Sequence, residues 1–171
     1  MAFALFVSRN DIIKNTPLNG EIDADKLIPF IRTAQEKYIL NLLGTVLYDK
    51  LQSDIQSGSV SGDYETLLQD YVKPTLIWYG CTEYIPFSSI DFKGSGAVKH
   101  LSEQSAAPTK NELDYLLSKA LNNADYYATR MQDWLISTSN AGGIPEYLQV
   151  TGDQTEVYPD KSSQYYGGIH F

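Results

Sequence analysis

One cysteine, Cys81, stands in 171 residues, so no disulfide can form within the chain and a zinc site would have to draw on other ligands. Histidine is nearly as scarce. His100 and His170 are far apart in sequence and neither belongs to a His-Glu-x-x-His string. The usual ligand sets of structural and catalytic zinc are therefore missing, and a Ser or Cys nucleophile has no base placed beside it by sequence. Basic charge is thin too: 13 Lys and Arg against 21 Asp and Glu give a net charge of −8. The cations are scattered singly, with Lys93 and Lys99 the densest pair, which argues against a broad basic face for nucleic acid or an anionic membrane. No run approaches the ~18 apolar residues that a membrane-spanning helix needs. The opening Met1-Ala-Phe-Ala-Leu-Phe-Val7 is apolar but has no basic n-region, so it reads as neither signal peptide nor span, and the chain is expected to be made in the cytoplasm.

What remains is an ordinary globular composition, 43% apolar and 20% charged, in a chain long enough for one domain with a sizeable core. Thirteen tyrosines suit half-buried surfaces and interfaces, because each carries an apolar ring with a polar tip. Cys81, next to Trp78, Tyr79 and Ile85, reads as a buried small hydrophobe.

Hydrophobic periodicity makes the chain mainly α. Ser8 with Asp11 marks the start of a short helix over Arg9 to Asn15, and Thr16-Pro-Leu-Asn-Gly20 breaks it. Leu27, Ile31, Ala34, Tyr38 and Leu42 recur at helical spacing up to Gly44, and Leu47, Leu51 and Ile55 carry a second helix straight after it. From Asp63, Leu67, Leu68, Tyr71 and Val72 form a stripe as far as Pro74, where a kink or break is expected. The stripe resumes through Leu76, Ile77, Tyr79 and Tyr84, and Pro86 ends it. Thr109 with Glu112 opens the strongest helix, which carries Leu113, Leu117, Ala120, Ala124, Tyr127, Met131 and Leu135 on one face over about 40 Å. Its polar residues Asp114, Lys119, Asp125, Arg130 and Asp133 fall mostly opposite that stripe and read as a solvated or subunit-facing surface. The domain reading is a helical bundle over 1–139, with a loop or β-hairpin insertion at 86–108, followed by an extended C-terminal arm at 140–171. The insertion has no period, but Ile90, Phe92, Ala97 and Val98 flank Gly94-Ser-Gly96 as a hairpin would.

The chemistry-bearing motifs are absent or misordered. Lys93-Gly-Ser-Gly-Ala-Val-Lys-His100 lacks the order of a phosphate loop, and Gly20-Glu-Ile-Asp-Ala-Asp25 lacks that of a calcium loop. The expectation is a non-enzyme, with no catalytic, cofactor-binding or metal-binding residues. The arm is more telling. A disordered tail usually has few aromatics, yet Tyr147, Tyr158, Pro159, Tyr165, Tyr166 and Phe171 fall here and form the candidate partner-binding set. They could pack back on the bundle or dock on a neighbouring subunit. In the docking case, removing 144–171 should block assembly and leave the bundle's melting largely unchanged.

Several strings of this sequence are similar to one known family. Phe30-Ile-Arg-Thr-Ala-Gln-Glu36, Leu42-Leu-Gly44, Leu47-Tyr-Asp-Lys-Leu51, Lys73-Pro-Thr-Leu-Ile-Trp-Tyr79, Glu83-Tyr-Ile-Pro-Phe87 and Tyr126-Tyr-Ala-Thr-Arg130 resemble the adaptor proteins at the head–tail joint of tailed bacteriophages. Pro145-Glu-Tyr147 and Tyr158-Pro-Asp-Lys161 look most like the small ring proteins of crAss-like and related phages of Bacteroidetes. The resemblance implies a structural virion protein at the head–tail junction, a helical bundle that closes into a ring of about twelve copies beneath the portal protein. Such a ring extends the DNA channel, passes DNA without specific binding, and docks further ring and tail proteins. One rival is a soluble monomeric binding or scaffolding module that acts through its aromatic arm. Another is a small enzyme using helix acids with Lys93, Lys99 or His100, which requires a concave polar pocket around 93–103.

Overall fold

The computed structural model describes residues 3–15, 24–88, 90–93, 96–99, 108–149 and 155–161. The described chain is mainly helical. Helix α1 spans Arg9–Asn15, and its capping residue works as its sequence implies: Ser8 Oγ accepts from Asp11 N while the Asp11 carboxylate accepts from Ser8 N. Asp11 is also tied to Lys73 at 3.1 Å, which fastens α1 to the body.

Helix α2 (Ala24–Ala34) runs through a π-helical turn, Gln35–Ile39, into α3 (Leu40–Leu43). Leu27, Ile31, Ala34, Ile39 and Leu43 are all buried, so the stripe read from the sequence is the face that meets the core. Gly44 ends α3 with φ +76° and ψ 160°, a backbone region open to glycine and costly to any residue with a Cβ. Helix α4 (Thr45–Ser57) starts on the next residue and buries Leu47, Tyr48 and Leu51.

The second half is built on one long helical run. Helix α5 (Asp63–Thr66) widens into a π-helical turn, Leu67–Val72, and continues as α6 (Lys73–Tyr84). The break expected at Pro74 is thus replaced by a wide turn. A π turn bonds five residues back and widens the helix, which eases the clash of a proline ring with the carbonyl four residues before it. Thr75, fully buried in the first turn of α6, donates its hydroxyl back to Tyr71 O at 2.7 Å. Helix α6 is buried nearly all round, at Thr75, Leu76, Ile77, Tyr79, Gly80, Cys81 and Thr82, because it packs against α2 on one side and α7 on the other. Gly80 permits the first contact: a Cβ there would lie 2.2 Å from Ile31 Cδ1. The Cys81 thiol lies in this interior, and burial pushes its pKa up to about 11.

After a 3-10 turn (Ile85–Phe87), β1 (Ile90–Lys93) pairs antiparallel with β2 (Gly96–Lys99), Ile90 opposite Lys99 and Lys93 opposite Gly96. Helix α7 (Lys110–Asn140) is 31 residues long and opens on a complete capping box between Thr109 and Glu112. A final 3-10 turn, Pro145–Leu148, sends Ile144 and Tyr147 into the core, where both are fully buried.

Residues 155–161 lie across the α3–α4 corner. Thr45 N donates to Val157 O and Val157 N donates to Thr45 Oγ1, both at 2.9 Å. Asp160 N donates to Asn41 O at 2.9 Å, and Gln132 Nε2 of α7 donates to Asp160 O at 2.7 Å. The corner glycine makes this possible, since a Cβ on Gly44 would come within 2.6 Å of Pro159 Cδ and 2.9 Å of Pro159 N. Gly44→Ala is therefore expected to cost about 2–4 kcal/mol, by backbone strain and loss of the strapped segment together. Urea titration measures the loss, and limited proteolysis should show cleavage within 155–161 that the parent chain resists. An unchanged midpoint with an uncut segment would contradict this account of the corner.

Candidate interaction surface

Two of the polar side chains that the core buries hold backbone at the start of the described chain. Gln35 and Gln52, on the π turn and on α4, clamp the extended residues Phe3–Val7. Gln52 accepts from Ala4 N and donates to Ala4 O, both at 2.7 Å. Gln35 accepts from Phe6 N at 2.9 Å and donates to Ala4 O at 2.9 Å and to Tyr48 Oη at 3.1 Å. Phe6 and Val7 are buried as a result, and Phe6 lies 5.1 Å from the Tyr48 ring. Gln35→Leu keeps the volume but leaves the Ala4 and Phe6 backbone groups without that partner, so about 2–4 kcal/mol should be lost. Hydrogen exchange at the Phe6 amide reports it directly, and an amide still as protected as in the parent chain would refute the clamp.

A second set of polar groups lies between helices. Tyr38 stacks on Tyr79 with ring centroids 4.1 Å apart. Tyr38 Oη donates to Glu83 at 2.7 Å, where Lys37 also pairs at 2.8 Å, and Tyr79 Oη donates to Asp125 at 3.0 Å. Burial raises the Glu83 carboxyl, but the Lys37 and Tyr38 bonds outweigh it and hold the carboxyl below its ordinary value. Each group is committed to a partner across a helix interface, which is a packing arrangement and not a nucleophile–base pair. Among the described residues no group of three or more His, Cys, Asp or Glu could hold a metal ion. No described helix is long and apolar enough to cross a membrane.

The sequence-derived docking residues fall in different places. Tyr147 is fully buried in the chain's own core, with Lys161 Nζ 5.4 Å from its ring centre, so it anchors the arm. Pro159 is pressed on Gly44. Tyr158, 49% exposed, offers its ring outward. Tyr165, Tyr166 and Phe171 lie outside the described residues, as do His100 and His170.

The outer side of α7, read from sequence as a solvated or subunit-facing surface of charged residues, also carries large exposed hydrophobics. Tyr126 is 65% exposed, Tyr115 62% and Leu116 50%. The helix buries Ala120, Ala124, Ala128, Met131 and Leu135, and at about 100° per residue Tyr115 and Tyr126 point almost directly away from that face. The first ten residues of α7 include none that is buried, so this end is thinly covered by the rest of the described body. Lys119 Nζ lies over the Tyr115 ring at 5.7 Å, and Arg130 lies over Tyr71 at 5.1 Å. Tyr126 and Tyr127 meet edge to face at 5.3 Å. The surface carries two tyrosines and a leucine interleaved with Lys119, Arg130 and the exposed Asp133, in a chain of net charge −8. Large exposed rings and arginine are the residue types that carry binding energy at protein interfaces. A signal for it exists in the sequence: two tyrosines three turns apart interrupt the polar face formed by Lys119, Arg130 and Asp133.

A family model described as a family of unknown function (DUF6712) matches residues 39–152, more than half of the chain. No curated protein matches, and no solved structure matches.

Proposed function

We propose a structural role for this chain, which belongs to the DUF6712 family of unknown function: it is a subunit of a head–tail adaptor ring in a tailed-phage virion. In this reading about twelve copies form a closed ring beneath the portal protein, extend the DNA channel, and present a docking surface to further ring and tail proteins. The observation that carries it is the outer face of α7. Two large aromatics stand exposed opposite the core, with Leu116 exposed on the flank, as expected of a subunit whose folding leaves a face for assembly. The resemblance of the strings from Phe30 to Lys161 to head–tail adaptors supports the same reading. A helical bundle with a long spine, a mid-chain hairpin and an arm gives such a subunit its separate surfaces. A heterologous ring needs two different faces per copy, and α7 and the arm are distinct enough to be the two.

The charge fits the channel. Twelve copies at −8 each give about −96, which repels phosphate and lets DNA slide past without specific binding. Electron microscopy of the chain mixed with its candidate portal tests the role: a closed ring seated on the portal supports it, and unattached single copies contradict it. The same images decide the charge argument, which falls if the acids lie mainly on the outer wall.

One observation favours a second reading, a monomeric binding or scaffolding module. Residues 155–161 lie on their own bundle, so part of the arm satisfies itself within one copy. Stoichiometry separates the two readings.

A further inference from the structure

The outer strip of α7 faces away from the point where the described arm ends. The arm passes Thr45, then Asn41, and reaches Lys161 beside Gln132 of α7. At about 100° per residue, Gln132 lies roughly 160° around the helix from Leu116 and about 120° from Tyr126. Ten residues follow, Ser162 to Phe171, and their sequence holds Tyr165, Tyr166, Ile169 and Phe171 but no Asp, Glu, Lys or Arg. A segment continuing along its own α7 from Gln132 would meet the Asp125 side, with Glu83 and Lys37 already paired beyond it. Tyr115 and Tyr126 lie about a further 80–100° round the helix from Asp125, on its outer side.

We propose that the strip formed by Tyr115, Leu116, Lys119, Tyr126 and Arg130 is the seat for residues 162–171 of a second copy. This rests on the ring reading and names the surface that joins one subunit to the next. The dimensions agree. Tyr115 and Tyr126 are about 16 Å apart along the helix at ~1.5 Å per residue. Tyr165 and Phe171 are at most about 20 Å apart at ~3.3 Å per extended residue. The chemistry agrees as well: an uncharged aromatic segment matches a strip of rings edged by Lys119 and Arg130, whose cations favour aromatic faces. An acidic segment of this acidic chain would have to be held by those two cations alone. Each tail supplies aromatic anchors and each helix supplies the seat, a head-to-tail contact that repeats from copy to copy.

The test uses the full-length chain with p-benzoylphenylalanine in place of Phe171, prepared in light and in 15N-labelled form, mixed in equal amounts and irradiated with the candidate portal present. Mass spectrometry then reads which residues are joined and whether the two halves carry different isotopes. The expected result is mixed-isotope pairs joining position 171 to residues 110–130, with yield falling about tenfold in Tyr115→Ala/Tyr126→Ala. Both substitutions are on exposed side chains, so the variant should keep the parent's melting midpoint, which is measured alongside. Same-copy pairs only, cross-links to another region, or none at all would overturn the proposal. A closed ring with cross-links elsewhere leaves the ring reading standing and removes the seat. Mixed-isotope pairs in a dimer that never closes do the reverse.

Discussion

Deleting residues 144–171 is expected to unfold the helical body, while ending the chain after Lys161 should leave its stability unchanged. From sequence, the stretch after the spine helix is an arm that packs back on the bundle or docks on a neighbour, and only in the docking case does its loss leave the bundle intact. The structure puts a boundary inside it. Ile144 and Tyr147 are fully buried, packed in the cluster that holds Leu47, Leu51, Leu67 and Met131. Removing a buried aromatic side chain costs about 3–5 kcal/mol and a buried Ile about 2–5. Together that rivals the ~5–15 kcal/mol that keeps an ordinary domain folded. Tyr64 also donates to Glu146, and that tie to α5 goes with the segment. Urea denaturation followed by far-ultraviolet circular dichroism distinguishes the two truncations. A cooperative transition with the parent midpoint after deletion of 144–171 would refute this division of the arm.

The second large effect is alkaline unfolding. Tyr48, Tyr79 and Tyr147 are all buried, and burial is the first cause holding each phenol above its ordinary value near 10. Asp125 adds to the rise at Tyr79, and Asp160 adds to it at Tyr147, which is pushed up to about 12. The sign follows from linkage. A group whose folded pKa is raised gives stability that is whole below its unfolded pKa and is lost as pH climbs through the folded value. The window therefore opens near pH 10, and Tyr147 alone accounts for about 2 kcal/mol by pH 12. Urea midpoints at pH 8, 10, 11 and 12 should be level at first and then fall steeply. Tyr147→Phe should flatten part of that fall. At pH 8 it should be neutral or slightly stabilising, because the buried Tyr147 hydroxyl has no hydrogen-bond partner among the described residues. Equal stability of the parent chain at pH 8 and pH 12 would contradict the assignment.

The features legible in the sequence are the local ones. Ser8 with Asp11 and Thr109 with Glu112 act within one turn, so their caps and the helices behind them could be read directly. Gly44 was legible as a helix end for the same reason, though not as the seat of Pro159, which is distant in sequence. The π turn before Pro74 was hidden because five-residue bonding leaves the same apolar stripe as an α-helix until the proline is reached. The Gln35 and Gln52 clamp was hidden because a buried glutamine facing backbone has no periodic signature. Tyr147 looked like its aromatic neighbours in the arm, and only long-range packing separates it from Tyr158. The outer strip of α7 was half legible: its charged residues were read as a solvated or subunit-facing surface, but the tyrosines between them were not singled out.

The ring is the central claim, and mass tests it most directly. Light scattering or native mass spectrometry of the full chain, alone and with its candidate portal, reads the number of copies without regard to which residues meet. A portal-dependent assembly of about a dozen copies is the predicted result. A chain that stays a monomer or dimer with the portal present would contradict the adaptor role and favour the binding module.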